Sequence, residues 1–167
     1  MKLHYRFAIL ILAFLQNTAY AGCENANVER LAKDFFTSHR NFYYAEPSEV
    51  KSLLTPEFYT TLENEYKCKS QGELCAIEAD PWLSAQDGTI AEPISFSITK
   101  QTALNASVKM NYLFVLSKTQ KENRAVTFQF LKISNGSCWL LEDFITPKEG
   151  SLKKYIQTWQ LQYGKAL

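Results

Sequence analysis

The stretch Asn105–Leu116, with the sequence NASVKMNYLFVL, has the clearest structural pattern in this chain. Its apolar side chains recur at every second position, and they are Ala106, Val108, Met110, Tyr112, Phe114 and Leu116. Because successive side chains of a β-strand point to opposite faces, this spacing indicates a strand with one buried face. Leu113 and Val115 make the end of the stretch apolar on both faces. We therefore expect a long strand whose inner face contributes to the core.

The same alternation is found before and after this strand. Ile94–Ile98 and Val126–Phe130 each place an apolar residue at every second position. Asn135-Gly136 is a strong signal for a two-residue hairpin, since both residues tolerate positive φ, and Cys138–Ile145 follows as the next strand. With no helical segment between them, these strands predict an antiparallel sheet.

Apolar residues spaced by three and four positions precede the strands, and this spacing is typical of helices. The first helix is expected to begin at a cap from Asn25 or Asn27, to place apolar side chains over residues 28–43 and to end before Pro47. A short helical piece is expected at Ser48–Leu54.

A second helix is expected to start at Thr55-Pro56-Glu57, with a capping residue, a proline in the first turn and an early acid. Its predicted apolar face consists of Phe58, Tyr59, Leu62 and Tyr66. Residues 68–88 are expected to form a loop, and the helical spacing returns at Leu152–Tyr163. Helices first and antiparallel strands afterwards predict an α+β fold, in which N-terminal helices cover one face of a curved sheet and a C-terminal helix follows.

The N-terminus has the three parts of a secretory signal peptide. Lys2 and Arg6 form a basic start, Phe7–Leu15 is an unbroken apolar run, and Ala19-Tyr20-Ala21 offers small residues for cleavage. The run of nine apolar residues is too short for a bilayer, which needs roughly 20. Residues 1–21 are therefore predicted to be removed during export, leaving residues 22–167 as a single domain.

All four cysteines follow the predicted cleavage site. An even number in an exported chain predicts two disulfides, for which three pairings exist. We favour Cys68–Cys75 and Cys23–Cys138. A lipid anchor at Cys23 is the alternative, because Tyr20–Cys23 resembles the end of a bacterial lipobox. It is disfavoured because Tyr20 stands where an aliphatic residue is usual, and because acylation of Cys23 would leave Cys138 unpaired.

Charge and composition exclude several classes of function. Residues 1–21 contain two of the 18 basic residues and none of the 17 acidic ones, so the exported part is nearly neutral. It has no basic stripe to neutralise the phosphates of a nucleic acid. Its single histidine, His39, cannot supply the ligand spacing of a zinc site, and we predict no metal and no cofactor. Stacking or solvation at the end of the first helix explains His39 better than a role as general base.

Three residues of the loop are candidates for a site. Asp80 and Asp87 are the candidate acids, although Asp-Pro and Asp-Gly are also ordinary turn formers. A base of this kind needs a polarising partner, for which Tyr59 or Tyr66 is proposed. Trp82 is a candidate interface anchor, because tryptophan contributes a large area with few rotors; closure of the open end of the fold explains it equally well.

Two motifs carry a resemblance to a known family. Asp80–Asp87 (DPWLSAQD) is similar to the D-P-F-x-x-A-Q-D stretch of a family of bacterial exported proteins of unknown function, several of them lipoproteins. Cys138–Ile145 (CWLLEDFI) resembles that family's closing W-x-I-x-D-I strand. The resemblance covers Val28–Ile145, with Trp82 in place of phenylalanine and a C-terminal helix outside the pattern. It implies the cone-shaped fold of the nuclear-transport-factor-two-like, or cystatin-like, superfamily.

The resemblance also implies a role, whereas the periplasmic location follows from the predicted signal peptide. Some relatives of such families act as immunity proteins beside secreted antibacterial toxins. We therefore expect a non-catalytic periplasmic protein that binds a cognate, peptidoglycan-acting toxin of a type VI secretion system. The first alternative is a carrier of a small molecule or envelope component, in a hollow lined by Tyr59, Tyr66, Phe96 and Trp139. The second alternative is an enzyme of the cone fold that uses Asp80 or Asp87.

Overall fold

The computed structural model describes residues 27–133 and 138–163. The predicted signal peptide, Cys23 and the Asn135-Gly136 turn lie outside the described residues. Within the two ranges, no helix is both long enough and apolar enough to cross a membrane.

The described chain forms helices on one side of a five-stranded antiparallel sheet. The elements in chain order are α1 (Val28–Ser38), a 3₁₀ helix (Pro47–Leu53), α2 (Pro56–Ser70), β1 (Thr89–Gln101), β2 (Asn105–Val115), β3 (Lys121–Lys132), β4 (Trp139–Thr146), β5 (Gly150–Ser151) and α3 (Leu152–Tyr163). The strands lie in the order β1-β2-β3-β4-β5. The sheet is curved and open, and the predicted α+β fold with a C-terminal helix is confirmed.

Strand β2 pairs with β3 along its whole length, and its inner face contributes to the core. Eleven residues of β2 pair without interruption, from Asn105 opposite Leu131 to Val115 opposite Lys121. The inner side chains are all buried, and they are Ala106, Val108, Met110, Tyr112 and Phe114. The predicted alternation is therefore confirmed up to Phe114. Leu116 follows the strand and is 47% exposed, so its predicted place on the inner face is wrong.

The first helix is shorter than expected. The Asn27 side chain accepts hydrogen bonds from the amides of Glu29 at 2.9 Å and Arg30 at 3.4 Å, which confirms it as the cap. The helix ends at Ser38, and a turn then begins in which the Phe42 amide donates to the His39 carbonyl at 3.0 Å. The prediction that the helix continues towards Pro47 is wrong, because Phe42 packs in the core from a turn.

The second helix begins as predicted and extends further. The Thr55 hydroxyl accepts the Phe58 amide at 3.4 Å, which caps the helix before Pro56. The helix continues to Ser70, so the loop starts three residues later than predicted. Its buried residues are Phe58, Thr61, Leu62, Glu65 and Cys68. Tyr59 and Tyr66 are only half-buried and lie beside this face, which corrects their predicted place on it.

The start of α3 depends on side chains from β4 and β5. The Asp143 carboxylate accepts the Lys153 amide at 3.1 Å, and the Ser151 hydroxyl accepts the Lys154 amide at 3.0 Å. These bonds satisfy amides that have no partner inside the helix. The Lys153 ammonium binds Glu57 of α2 at 3.2 Å and also Glu142 of β4. The orientation of α3 on the body of the protein is therefore well determined.

A glycine at the entry to β1 provides a test of this packing. Gly88 has a φ of +116°, and a Cβ atom there would overlap the ring of Phe114. We expect Gly88→Ala to lower the free energy of unfolding by about 3 kcal/mol, from backbone strain and overpacking together. Gly72→Ala is the matched control, since Gly72 also has positive φ (+76°) but open space around it; strain alone should cost about 1 kcal/mol. Urea denaturation measures the free energy of unfolding of both variants. Equal losses in the two variants would contradict the close contact between Gly88 and Phe114.

Candidate functional site

The motif that carries the family resemblance forms a compact turn, which we call the Trp82 loop (residues 80–87). The Asp80 amide donates to the Ala85 carbonyl at 3.2 Å, and the Asp80 carbonyl accepts the Leu83 and Ser84 amides at 3.0 and 2.8 Å. The Asp80 side chain accepts the Trp82 amide at 2.8 Å. This bond from a side chain to the backbone two residues later is an Asx turn.

Trp82 points inward from this turn. Its side chain is 0% exposed, and its ring centroid lies 4.6 Å from that of Phe144 and 5.7 Å from that of Phe42. The indole N–H donates to the Arg40 carbonyl at 2.7 Å. The candidate interface anchor is therefore wrong, because a fully buried side chain offers no area to a partner.

Two side chains from the sheet bind the backbone of the Trp82 loop. The Tyr112 hydroxyl donates to the Trp82 carbonyl, and the Arg124 guanidinium donates to the Leu83 carbonyl. Arg124 lies over the ring of Phe114, 3.6 Å from its centroid. A buried carbonyl without a donor would cost free energy, so these two side chains stabilise the loop on the sheet.

A buried acid holds the segment that leads into the loop. Glu65 is 1% exposed, and its carboxylate accepts the amides of Ala76 at 3.2 Å and Ile77 at 2.7 Å. Lys69 lies 3.7 Å from it, and burial lowers the pKa of Lys69 although Glu65 acts to raise it. Sequence reasoning missed Glu65, but a signal existed, because a glutamate three residues after Leu62 falls in the apolar stripe of α2.

The cysteines next to this segment pair as predicted. Cys68 and Cys75 form a disulfide with their Cα atoms 6.0 Å apart. None of the described cysteines is a free thiol. The other predicted pairing, Cys23–Cys138, includes Cys23 and lies outside the described residues. The short disulfide and Glu65 together hold residues 75–77, which precede the Trp82 loop, in place.

The surroundings of Asp80 differ from the predicted pair of acid and tyrosine. Burial raises the pKa of the Asp80 carboxyl, although the Trp82 amide, the Arg40 guanidinium and the Tyr43 hydroxyl all act to lower it. Burial and the neighbouring Asp80 charge raise the pKa of Tyr43 to about 12. The tyrosine beside Asp80 is therefore Tyr43, and the choice of Tyr59 or Tyr66 is wrong.

The two tyrosines and the second acid lie elsewhere. The Tyr59 hydroxyl donates to Glu63 at 3.2 Å, and the Lys51 ammonium lies 5.0 Å from the centre of its ring. Tyr66 is half-buried on α2, and its hydroxyl makes no hydrogen bond among the described residues. Asp87 is exposed and has no hydrogen-bond or ion-pair partner in the described chain. The structure does not bring these candidate residues together.

The hollow predicted for a carrier is occupied by side chains. Phe96 packs on Phe36 and Phe128, with ring centroids 6.2 and 6.4 Å apart, while Trp82 and Phe144 occupy the centre. The predicted lining of Tyr59, Tyr66, Phe96 and Trp139 is therefore wrong as a set.

An apolar groove, which we call the α1 groove, runs instead beside the first helix. Its volume is about 320 Å³, and its lining residues are Leu31, Asp34, Phe35, Ser38, His39, Leu53, Phe130 and Trp139. The centre of the His39 ring lies 5.6 Å from that of Phe35, with an angle of 49° between the ring planes, so the two rings contact each other at the end of α1 without stacking. The Lys132 ammonium lies 5.5 Å from the Trp139 ring. The groove therefore has an apolar wall with Asp34 in its lining, and Lys132 lies against one wall residue, Trp139.

A row of aromatic side chains lies along α3; we call Tyr155, Trp159 and Tyr163 the α3 row. Tyr155 is 42% exposed and Tyr163 is 59% exposed, while Trp159 is half-buried. The rings of Trp159 and Tyr163 lie 5.4 Å apart. Residues four apart on a helix lie on one side of it, so the row forms a continuous surface. Sequence reasoning recognised the helical spacing of these residues but did not identify them as an exposed surface.

Neither the positions of metal-ligating residues nor a comparison with known proteins indicates a function. Across residues 27–133 and 138–163, no three histidine, cysteine, aspartate or glutamate side chains converge in a way that could hold a metal ion. No protein-family model, curated protein or solved structure matches the chain. A function must therefore be argued from the geometry.

The burial of Asp80 predicts a pH dependence of stability. When the pKa of a carboxyl is raised in the folded state, the free energy of unfolding of the protein falls as the pH rises. The fall begins at 3.8, the ordinary pKa of the group, and ends above its pKa in the folded state. An asparagine at this position keeps an oxygen for the Trp82 amide but has no charge to bury. We expect Asp80→Asn to become more stable relative to the wild type as the pH rises through this window, measured by urea denaturation. Asp87→Asn, which removes an exposed carboxylate from the same loop, is the control; identical pH profiles for both variants would contradict the burial of Asp80.

Proposed function

We propose that this chain is an exported, non-catalytic binding protein that acts by covering a surface of another protein. Its best-supported role is that of an immunity protein, which neutralises an envelope-targeting, peptidoglycan-acting toxin of a type VI secretion system in the periplasm. The observation that carries the proposal is the exposed α3 row on a rigid body. Tyrosine and tryptophan are the residues in which binding energy concentrates at protein interfaces.

The α3 row is preorganised for binding. Asp143 and Ser151 cap the helix, and Lys153 joins it to α2 and β4. Aromatic side chains have only two side-chain torsions, so little conformational entropy is lost when they are covered. The row therefore supports a binding surface that needs little ordering when the partner arrives.

The body beneath the row is also rigid. The Cys68–Cys75 disulfide, Glu65 and Trp82 hold the long loop on the sheet. Every buried side-chain nitrogen or oxygen of the described chain has a hydrogen-bond partner. A disulfide of this kind suits an oxidising compartment, which supports export.

The charges on α3 favour a partner of definite chemistry. The helix contains Lys153 and Lys154 and no acidic residue. Lys153 is occupied by Glu57 and Glu142, whereas Lys154 is exposed next to Tyr155 and has no ion-pair partner among the described residues. We therefore propose that the toxin surface is an apolar depression with an acidic rim.

The proposal predicts that an adjacent gene encodes the toxin, and the test uses the product of that gene. We expect the mature protein to form a one-to-one complex with it and to block its hydrolysis of peptidoglycan. In calorimetry, Tyr155→Ala and Tyr163→Ala should each weaken the complex about 30-fold, the size of an interface hot spot. Leu161→Ala is the control, because Leu161 is exposed on the side of α3 that faces α2.

Two results would contradict the proposal at different levels. No complex with a toxin from the adjacent gene, together with no stoichiometric protein partner from periplasm, would remove the function. A complex in which both tyrosine variants bind as tightly as the wild type would remove the α3 row as the binding surface.

The α1 groove favours a second candidate function, the carrier. An apolar wall with Lys132 beside Trp139 suits a molecule that has a short acyl chain and a carboxylate. We expect dodecanoate to change the tryptophan fluorescence in a saturable way. Leu53→Trp should fill the groove and abolish this change, whereas Leu161→Trp should not. A linear, non-saturable response in the wild type would exclude the carrier.

A further inference from the structure

The face of the sheet that points away from the helices is uncovered, and we call it the outer face. On the other face α1 packs against the sheet through Phe35, whose ring lies 6.2 Å from that of Phe128. Successive side chains of a strand point to opposite faces, so the residues between the buried positions of β2 and β3 point outward. The central outer-face residues are all polar and none is buried; they are Ser97, Ser107, Lys109, Asn111, Thr127 and Gln129.

The segment that supplies most of this face carries positive charge alone. Residues 93–121 contain four lysines and no acid. Lys100 lies opposite Ser107, and Lys121 lies opposite Val115, so the register places both on the same face as Lys109. These three lysines are exposed, and none of them has an ion-pair partner among the described residues.

The neighbouring acids do not neutralise these lysines. Glu122 points to the inner side of β3 and binds Arg124. Asp143 is 6% exposed, and its carboxylate accepts the Ser151 hydroxyl. The carboxylate of Glu92 accepts a backbone amide of its own strand at 2.6 Å. The outer face therefore presents uncompensated positive charge to a partner.

The composition of the outer face favours one kind of anionic partner. Protein interfaces are enriched in aromatic residues and depleted of serine and lysine, whereas the central outer-face residues include both and no aromatic residue. Single-stranded nucleic acids need aromatic side chains on which their bases stack.

The spacing of the lysines argues against duplex DNA, which carries a charge about every 1.7 Å along its axis. Lys121 lies opposite Val115, six residues from Lys109, which corresponds to about 20 Å along the strand. A lipid bilayer places no such demand on spacing, because its lipids diffuse and anionic headgroups can gather beneath lysines at any separation.

We propose that the outer face binds the surface of an anionic phospholipid bilayer, with the headgroups against Lys100, Lys109 and Lys121 and the helices turned away from the membrane. Each lysine near such a surface strengthens binding about fivefold. The face includes no residue of the α3 row or the α1 groove, so the proposal is independent of the functions proposed above.

The test is co-sedimentation of the mature protein with phosphatidylcholine vesicles that contain one third phosphatidylglycerol. We expect binding to these vesicles and none to vesicles of phosphatidylcholine alone. The triple variant Lys100→Gln/Lys109→Gln/Lys121→Gln should bind about 100-fold more weakly, which is about fivefold for each lysine. Raising the ionic strength from about 0.1 M to about 1 M should abolish binding, because the Debye length falls from about 10 Å to about 3 Å.

The matched control is Lys33→Gln/Lys51→Gln/Lys67→Gln, which removes the same charge from exposed lysines of the helical layer and should bind nearly as tightly as the wild type. Circular dichroism establishes that each variant is folded. Oligothymidylate and polygalacturonate, tested at the same ionic strength, represent nucleic acids and anionic polysaccharides.

Four results would overturn the proposal. They are equal binding to neutral and anionic vesicles, an outer-face variant that binds like the wild type, a control variant that loses as much affinity as the outer-face variant, and tighter binding to either polymer than to the anionic vesicles.

Discussion

The structure depends on one buried side chain, the indole of Trp82. Its ring packs against Phe42 and Phe144, which come from the turn after α1 and from β4. Its N–H reaches the Arg40 carbonyl, and its own carbonyl receives the Tyr112 hydroxyl. One residue therefore joins the helical layer, the loop and the sheet. Since buried polar groups need partners, the segments that supply them are restricted together.

The residues of the loop that resemble a functional site make structural contacts in this arrangement. Asp80 forms a turn, Trp82 enters the core, and Ser84 donates to Glu149 near the start of α3. The motif that suggested a site is thus a structural element. The surfaces left for function are the α3 row, the α1 groove and the outer face of the sheet, which all lie outside the loop.

Much of the fold could be predicted because the side-chain patterns of its helices and strands are periodic. The alternation in β2, the cap and proline at Thr55-Pro56, and the helical spacing from Leu152 each describe a local backbone geometry. Leu116, Tyr59 and Tyr66 were placed wrongly at the end or margin of a periodic segment, and the other errors fall where the chain has no period. The turn after Ser38, the direction of Trp82 and the neighbour of Asp80 all depend on segments far apart in sequence. Glu65 is intermediate, because its place in the stripe of α2 was visible but its amide partners were not.

Local sequence patterns were sufficient to locate most of the strands and helices and to place Cys68 close to Cys75. They were sufficient because side-chain period and short loop length are local properties of the backbone. The burial of Trp82, the place of Tyr43 beside Asp80 and the exposure of Tyr155 and Tyr163 follow only from the packing of distant segments. The physical reason is that a side chain in a loop, or at the margin of a helix, turns to whichever carbonyl or apolar space the packed elements leave available.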